Sequence, residues 1–352
     1  MTRPCGDSQL PGLKEYRSLA QVREEAGQRF DRGQRPLMFD RLDWLDGMAR
    51  HCLPDTQPLI IQASEGNTEA WLFLAQTRPG HAVAMANFYS FSWRPLFVGD
   101  PDPASRKRLL AAAARHLARR NALIGLYPVL DDDGDLALLT TAFRDAGWLA
   151  IARPMGNNHL LRLDGRDFAT YWAARPGPLR STVQRKGRAS PYAITIHDRL
   201  TDALWRDYVD VYERSWKPQE ANFDFLRAIA EQEGEAGALR LGFAREGDTA
   251  VAAQYWTVEN GTAFIHKLAH DAAHDRGSPG TLLSHAMFRH AIDTDHVALI
   301  DYGTGDNPHK TGWMEETRPL YRLDCYNPAR PSTWLPAART TISRLVGPPA
   351  KR

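Results

Sequence analysis

Between His274 and Ala291 the chain reads HDRGSPGTLLSHAMFRHA, a charged loop that closes on Ser278-Pro279-Gly280 as an amphipathic helix begins. A helix start needs one capping residue, yet this one gathers Arg276, Gly277, Ser278, Pro279, Gly280 and Thr281. Glycine lets backbone N–H groups face outward with no Cβ in the way. Proline presets the first turn and gives up an amide that would have no partner there. Ser278 can cap. The remaining amides and the helix dipole then favour an anion, above all a phosphate, and Arg276 adds a fixed positive charge. The plain alternative is a tidy helix start.

Other residues that could move protons lie close by in the chain. Asp301 ends the strand-like run VALID and is either a base or a cap for the turn Tyr302-Gly303-Thr304-Gly305. His266 and Lys267 sit mid-strand in AFIHKLAHD, so alternation sends them to opposite faces and puts His270 on the face of His266. A buried Lys267 would have a lowered pKa and serve as a base, while an exposed one is only a surface lysine. His270 could shuttle protons or be a polar strand end. Lys310, after GDNPH, could hold a phosphate or carboxylate or be merely solvated. Ser215-Trp216-Lys217 closes a helix: Lys217 suits the negative end of its dipole, and Trp216 belongs to the core or to an acceptor cleft.

The elements that must position these residues fall into two halves of the same order. The first has helices SLAQVREEAGQRF and FDRLDWLDGMARHC and strands PLIIQAS, EAWLFLAQ and AVAMANFYS. Helix SRKRLLAAAARHLARR follows, capped by Ser105, then strand ALIGLYPV, helix LALLTTAFRDAG and strand WLAIARP running on to NHLLRL. The second has helix TDALWRDYVDVYERSW capped by Thr201, helix FDFLRAIAEQEG and strands LRLGFAR, TAVAAQYWTV and TAFIHKLAHD. Helix TLLSHAMFRHAID, strand VALIDYG, a short helix near HKTGWMEE and strand PLYRLDCY complete it. Repeated element order without sequence identity marks a duplicated fold. Three meander strands followed by a helical crossover give an α+β domain with a mixed, mostly antiparallel sheet flanked by helices. At the first half's equivalent junction, VGDPDPASR, Asp100 and Asp102 would repel a phosphate, so one copy reads as the anion binder and the other as scaffold. The domain boundaries read as 1–165, a bridge at 166–200, and 201–352.

Bulk composition narrows the class. With 352 residues and 43% hydrophobic content the chain is long for one domain. A net charge of +2 favours no particular partner. Cys5, Cys52 and Cys325 are few and far apart, which fits a reducing compartment and neither a disulfide framework nor a metal site. The start MTRPCGDSQLPGLKEY has no apolar signal core, and no apolar run nears the roughly 20 residues that span a bilayer, so a cytoplasmic location is expected. One stretch is anomalous. Arg153–Ala189 holds eight basic residues against Asp164 and Asp167, either a landing place for an anionic partner such as tRNA, CoA, a glycan or a membrane, or a solvated helix. Only Phe168, Tyr171 and Trp172 could stack on bases there, so nucleic acid has thin support.

The duplicated order, with a pyrophosphate-type turn before the crossover helix, resembles the GNAT acyltransferase fold used twice. The ordered set SWK (215–217), AFIHKLAHD, SPG (278–280) and DYGTGDNPHK (301–310) resembles the bacterial double-GNAT acetyltransferases named after cellulose biosynthesis (CelD-like), which are similar to FemAB-type transferases. The first half matches by pattern and by NFYSFSWRPLF. The resemblance implies acyl transfer from acetyl-CoA or another acyl-CoA, with no metal, to an amine or hydroxyl of a small molecule or cell-envelope sugar, as in polysaccharide biosynthesis. Acyl transfer needs a base, a polarised carbonyl and a stabilised leaving group; residues 276–281 are the candidates for holding the donor, Asp301, Lys267, His270 and Lys310 for the chemistry, and Trp216 and Lys217 for the acceptor side. The loop departs from the family's Gln/Arg-x-x-Gly-x-Gly/Ala form, since Pro279 stands third after Arg276. That departure keeps open a FemAB-like donor, aminoacyl-tRNA, and a catalytically degenerate scaffold subunit.

Overall fold

The edge of each repeat opens on a strand with almost no apolar signal. In the computed structural model, which describes residues 10–305 and 308–346, β1 (Gly12–Tyr16) and its later counterpart are mostly exposed edge strands. Sequence periodicity misses both because an edge strand needs no buried face. Cys5, Asp306 and Asn307 lie outside the described residues, as does the side chain of His309.

The chain forms two compact units, residues 1–156 with 319–352, and residues 157–318. In the first, β1 is followed by α1 (Leu19–Ala26), α2 (Leu42–Gly47), β2 (Gln57–Glu65), β3 (Thr68–Arg78), β4 (His81–Ala84), a short β5 (Leu96–Val98), α3 (Pro103–Ala118), β6 (Leu123–Val129), α4 (Asp135–Asp145) and the start of β7 (Leu149–Arg162). In the second, the end of β7 leads to α5 (Phe168–Ala173), α6 (Gly177–Arg188), β8 (Tyr192–His197), α7 (Asp202–Glu213), α8 (Phe223–Glu235), β9 (Leu239–Glu246), β10 (Thr249–Glu259), β11 (Thr262–His270), α9 (Pro279–Asp293), β12 (Leu299–Thr304) and α10 (Pro308–Thr311). β13 (Glu316–Tyr326) and α11 (Trp334–Val346) carry the chain back into the first unit.

Both units show the expected mixed sheet flanked by helices. The first is ordered β1-β2-β3-β4-β6-β13, antiparallel except at β4/β6; the second, β7-β12-β11-β10-β9-β8, antiparallel except at β11/β12. The closing strand of each repeat is exchanged. β7 residues 158–162 pair with β12 inside the second unit, and β13 residues 321–326 pair with β6 inside the first. The residues read as a bridge fold as α5, α6 and β8 within the second unit, not as a linker.

Packing follows the apolar stripes. In the first unit Leu109, Leu110, Ala113, Ala114 and Leu117 of α3 cover the sheet. That helix starts at Pro103, with Asp102 rather than Ser105 as its cap; the Asp102 carboxylate accepts the Ser105 amide at 2.8 Å. In the second unit Leu283, Met287, Phe288 and Ala291 of α9 pack on Trp256 and Ile265. A methyl on Gly242 of β9 would overlap Met287, so glycine is what lets α9 lie this close to the sheet.

The exchanged strand makes a prediction. Leu320, Leu323, Cys325 and Tyr326 of β13 are all buried. A chain ending at Arg318 should leave the β13 side of β6 unpaired and the first core exposed, and so lose the cooperative melting of the first unit, read by calorimetry. An unchanged melting profile would show that β13 contributes nothing to that core.

Candidate functional site

β11 and β12 run parallel through only three residue pairs, Thr262↔Leu299, Ala263↔Ile300 and Phe264↔Asp301, and pair no further. β11 continues to His270, bonded to β10 on its other side. From Ile265 onward β11 is therefore no longer paired with β12, and the two strands open into a fork. Asp301 lies at the foot of this fork. The start of α9 follows the far end of β11, six residues on, about 20 Å of strand. Asp301 therefore stands at the opposite end of the fork from the cradle.

At the mouth, Gly277, Ser278, Gly280 and Thr281 are part-exposed and Pro279 is buried. Ser278 takes the N-cap position in a left-handed conformation (φ 55°) and makes no capping bond with its side chain. Such strain in a non-glycine residue is held by its surroundings and concentrates at ligand clamps. The Thr281 and Leu282 amides both turn back to the Ser278 carbonyl at 3.1 Å, so the open amides are fewer than a full first turn, and the Gly280 N–H lies outside those two bonds. A methyl on Gly277 would overlap the Tyr192 hydroxyl, and one on Gly280 would come within 3.1 Å of His270 Nδ1. Arg276 is exposed at the rim, and Lys186 Nζ of α6 donates to its carbonyl. The Lys186 ammonium thus lies against the turn that leads into α9, with Arg276 exposed beside it.

Along the fork wall the strand alternation is broken. A bulge in the β10/β11 register at Tyr255/Trp256 leaves His266 as the extra residue. Both His266 and Lys267 consequently reach the face covered by α7: His266 lies 5.3 Å from the Tyr255 ring and accepts or donates to Thr257 at 2.8 Å, and Lys267 lies 5.9 Å from the Tyr212 ring. They do not point to opposite faces. His270 returns to the α9 side, away from the face of His266, because it pairs with Ala252, in line with Gln254, whose side chain bonds Ser284 and the Gly280 carbonyl on α9. The bulge is the reason for both corrections: one inserted residue flips everything after it.

Lys267 Nζ binds Glu220 at 2.6 Å with both side chains largely buried. Glu220 sits in the loop after α7, three residues past Lys217, and no sequence signal singled it out. Lys217 lies beyond the end of α7, which stops at Glu213, and its ammonium is 5.8 Å from the same Tyr212 ring. Burial pulls the Lys217 amine down to about 8, Lys267 and Lys310 push it the same way, and Glu220 opposes them. Burial and then Lys267 likewise push His266 down to about 3, so it is neutral near pH 7. Trp216 is 56% exposed, outside the core, with its ring tilted against His270 at 4.4 Å between centroids. His270 bonds Asp275 at 2.7 Å. The row Gly280, His270, Trp216, Lys217 thus links the cradle to the lysines.

Asp301 is buried and braced: Oδ1 accepts the Gly303 amide at 2.8 Å and Oδ2 accepts Arg318 Nη2 at 2.8 Å. This is the turn-capping arrangement, strengthened by an ion pair. Lys310 Nζ donates to the carbonyls of Tyr302, Gly303 and Thr304 at 2.8, 3.2 and 2.5 Å. It seals the end of β12. The basic stretch is partly neutralised from far along the chain. Arg166 and Arg175 both bind Glu315, Arg162 binds Glu316, and Arg175 is buried over Tyr171. α6 buries no residue, and Arg185 and Arg188 stay exposed. Among the described residues no group of three or more His, Cys, Asp or Glu side chains could hold a metal ion, and no helix is long and apolar enough to cross a membrane.

The first unit has the same fork and fills it. β4 and β6 are parallel through His81↔Leu123, Ala82↔Ile124 and Val83↔Gly125 only. Beyond that, Trp93 donates its amide to the Pro128 carbonyl at 2.6 Å and its indole N–H to the Phe73 carbonyl at 3.0 Å, and is buried. The chain itself occupies the gap, and Asp102 closes the helix start beside it.

The Lys217 environment can be read by titration. Its folded value of about 8 lies below the ordinary 10.5, so the folded chain binds fewer protons between these values. The cost of enclosing an ammonium is full below about 8 and fades as pH rises toward 10.5. Lys217→Met should stabilise the protein at neutral pH, with a gain that shrinks across that window in denaturant unfolding. A gain independent of pH would place the amine in water.

Residues 178–311 match the model of the acetyltransferase (GNAT) domain family. The search of curated proteins finds no significant match. Solved structures share the fold across nearly the whole chain. FemX is 10% identical, with 92% of this chain and 100% of that one covered and a TM-score of 0.58. The C-terminal DUF2156 domain assigned to a lysylphosphatidylglycerol synthetase of Agrobacterium fabrum is 15% identical, with 94% and 97% covered and a TM-score of 0.57. A tandem GNAT protein from the clavulanic acid biosynthesis pathway is 16% identical, with 89% and 98% covered and a TM-score of 0.50. The fold is thus that of tandem GNAT-like domains, and the second unit carries the GNAT match.

Proposed function

We propose that the second unit transfers an acyl group from an acyl-CoA, acetyl-CoA in the simplest case, to an amine or hydroxyl of a small molecule or cell-envelope sugar. The observation that carries this reading is the fork: β11 parts from β12 after Phe264/Asp301 and runs on, about 20 Å, to a helix start with basic residues beside it. A carrier with phosphates at one end and a thioester at the end of a long arm fits that length. The phosphates belong at Arg276, Lys186 and the 277–281 turn, and the arm lies along β11 beside Trp216 and His270. The acyl carbon then sits near Lys217, Lys267 and Lys310. The acceptor nitrogen attacks the thioester carbonyl, the new C–N bond forms, the C–S bond breaks, and the thiolate takes up a proton. Lys217, its amine lowered to about 8, in its deprotonated form accepts the proton from the acceptor amine. Lys267 and Lys310 stabilise the oxyanion and the departing thiolate. Asp301 positions the end of β12 through Gly303 and Arg318.

A second reading uses aminoacyl-tRNA as donor. It is favoured by the exposed Arg185 and Arg188 on α6 beside the mouth and by the fold shared with FemX. The finer kinship with CelD-like enzymes belongs to the first reading and rests on the ordered motifs alone.

Calorimetric titration with CoA should give saturable binding that Gly280→Asp or Arg276→Glu abolishes while circular dichroism is unchanged. Binding that survives both variants would remove the cradle assignment. Lys217→Ala should lower kcat about a hundredfold or more with little change in the KM for donor. If CoA fails to bind but charged tRNA binds with steep salt dependence, the second reading replaces the first.

A further inference from the structure

The first unit contains a charged pocket that the acyl-transfer reading does not use. It is a cavity of about 530 Å³ whose lining includes Arg35, Arg94, Phe97, Arg106, Asp133 and Asp135. Most of its charges satisfy one another. Arg94 grips the buried Asp40 with Nε and Nη2 at 2.9 and 2.6 Å and turns Nη1 to within 3.6 Å of Asp133. Arg106 reaches the Pro101 carbonyl at 2.9 Å and Asp100 at 3.4 Å.

Two charges are left over. Arg35 spends Nε and Nη2 on the carbonyls of Arg29 and Phe97, at 3.0 and 2.9 Å, and lies 4.9 Å over the Phe30 ring, with no carboxylate in ion-pair range among the described residues. Burial and then Arg94 lower its pKa, with Asp40 opposing, so an anion beside it is favoured. Asp135, half-buried at the start of α4, makes neither a hydrogen bond nor an ion pair among the described residues. Burial pushes its carboxyl up to about 6, with Asp133 and Asp40 adding to the effect and Arg94 opposing it, so a cation beside it is favoured. The two leftover groups line the same cavity and do not pair with each other.

We propose that this pocket binds a small zwitterion of the amino-acid class, its ammonium on Asp135 and its carboxylate on Arg35. A lone anion would confront the carboxylates of Asp133 and Asp135, and a lone cation the three guanidiniums; a zwitterion meets each excess charge with its opposite. Leu96 and Phe97 give the rest of the ligand an apolar floor. The pocket lies on the chain segment just after Trp93, which plugs the first unit's fork, so the ligand would brace that plug from its C-terminal side.

The test is calorimetric titration of the full chain with glycine, L-alanine and L-leucine, and with acetate and ethylamine as the two separated charges. At least one amino acid should bind saturably, and acetate and ethylamine at least about tenfold more weakly. Asp135→Asn should weaken the amino acid at least about tenfold without loss of fold, because it removes an unpaired half-buried charge. Arg35→Gln should do the same, and Arg35→Lys, which keeps the charge, less so. The proposal is overturned if no amino acid binds at millimolar concentration, if a separated charge binds as well as the whole, or if Asp135→Asn leaves binding unchanged. No CoA enters this experiment, so its outcome is independent of the acyl-transfer reading.

Discussion

The parting of β11 from β12 is the constraint on which the rest of the second unit depends. Two parallel strands do not separate without cause, since each lost pair forfeits backbone bonds. The cause lies on both outer flanks. β11 is bulged against β10 immediately after its last pair with β12, and β12 shifts register against β7 between Asp301 and Thr304. A bulge increases local twist and bends its strand, so two of them on opposite sides of Phe264/Asp301 turn the strands away from each other. The side chains that looked catalytic in the sequence partly serve to hold this shape. Asp301 ties Gly303 and Arg318 across the β12 irregularity, and Lys310 takes up three carbonyls that no longer have a strand to face.

The first unit shows what the same break costs when no ligand is to enter. β4 and β6 also pair three times and stop, and the chain fills the gap with the Trp93 backbone and indole. The helix start beside it is closed by a carboxylate rather than flanked by cations. One break is thus satisfied internally, and the other keeps its edge, its left-handed Ser278 and its clustered cations. A duplicated fold that treats equivalent gaps so differently has separated its stability from its chemistry.

Much of this was legible in the sequence, and the losses have physical reasons. The repeated order of elements and the unusual turn at 276–281 could be read because periodicity and Gly/Pro punctuation are local signals. β1 and β8 escaped because edge strands are not amphipathic. The faces of His266 and His270 were assigned by strict alternation, and a bulge of one residue, which no composition reveals, reversed both. The basic stretch looked free because its partners, Glu315 and Glu316, lie about 150 residues downstream and meet it only in the fold. The exchange of β7 and β13 was invisible for the same reason: strand order is tertiary, and the sequence of elements is identical with or without it.

What remains at the fork is an electrostatic imbalance. Burial, Lys267 and Lys310 all lower the Lys217 amine, Glu220 opposes them, and Glu220 is itself bound to Lys267 at 2.6 Å. Enclosing such a group without a counter-charge is unfavourable, and the fall of the Lys217 amine to about 8 is the response of the fold to that cost. The same arrangement becomes favourable once negative charge appears among the lysines. In the proposed transfer, a carbonyl turning tetrahedral and a thiolate leaving both supply it, at the moment of reaction and not before. Groups fixed in advance around charge that develops only in the transition state lower the barrier without tightening the ground state. The lysine cluster and the parting of β11 from β12 are therefore one feature: both lie at the fork, where the proposed transfer places its developing negative charge.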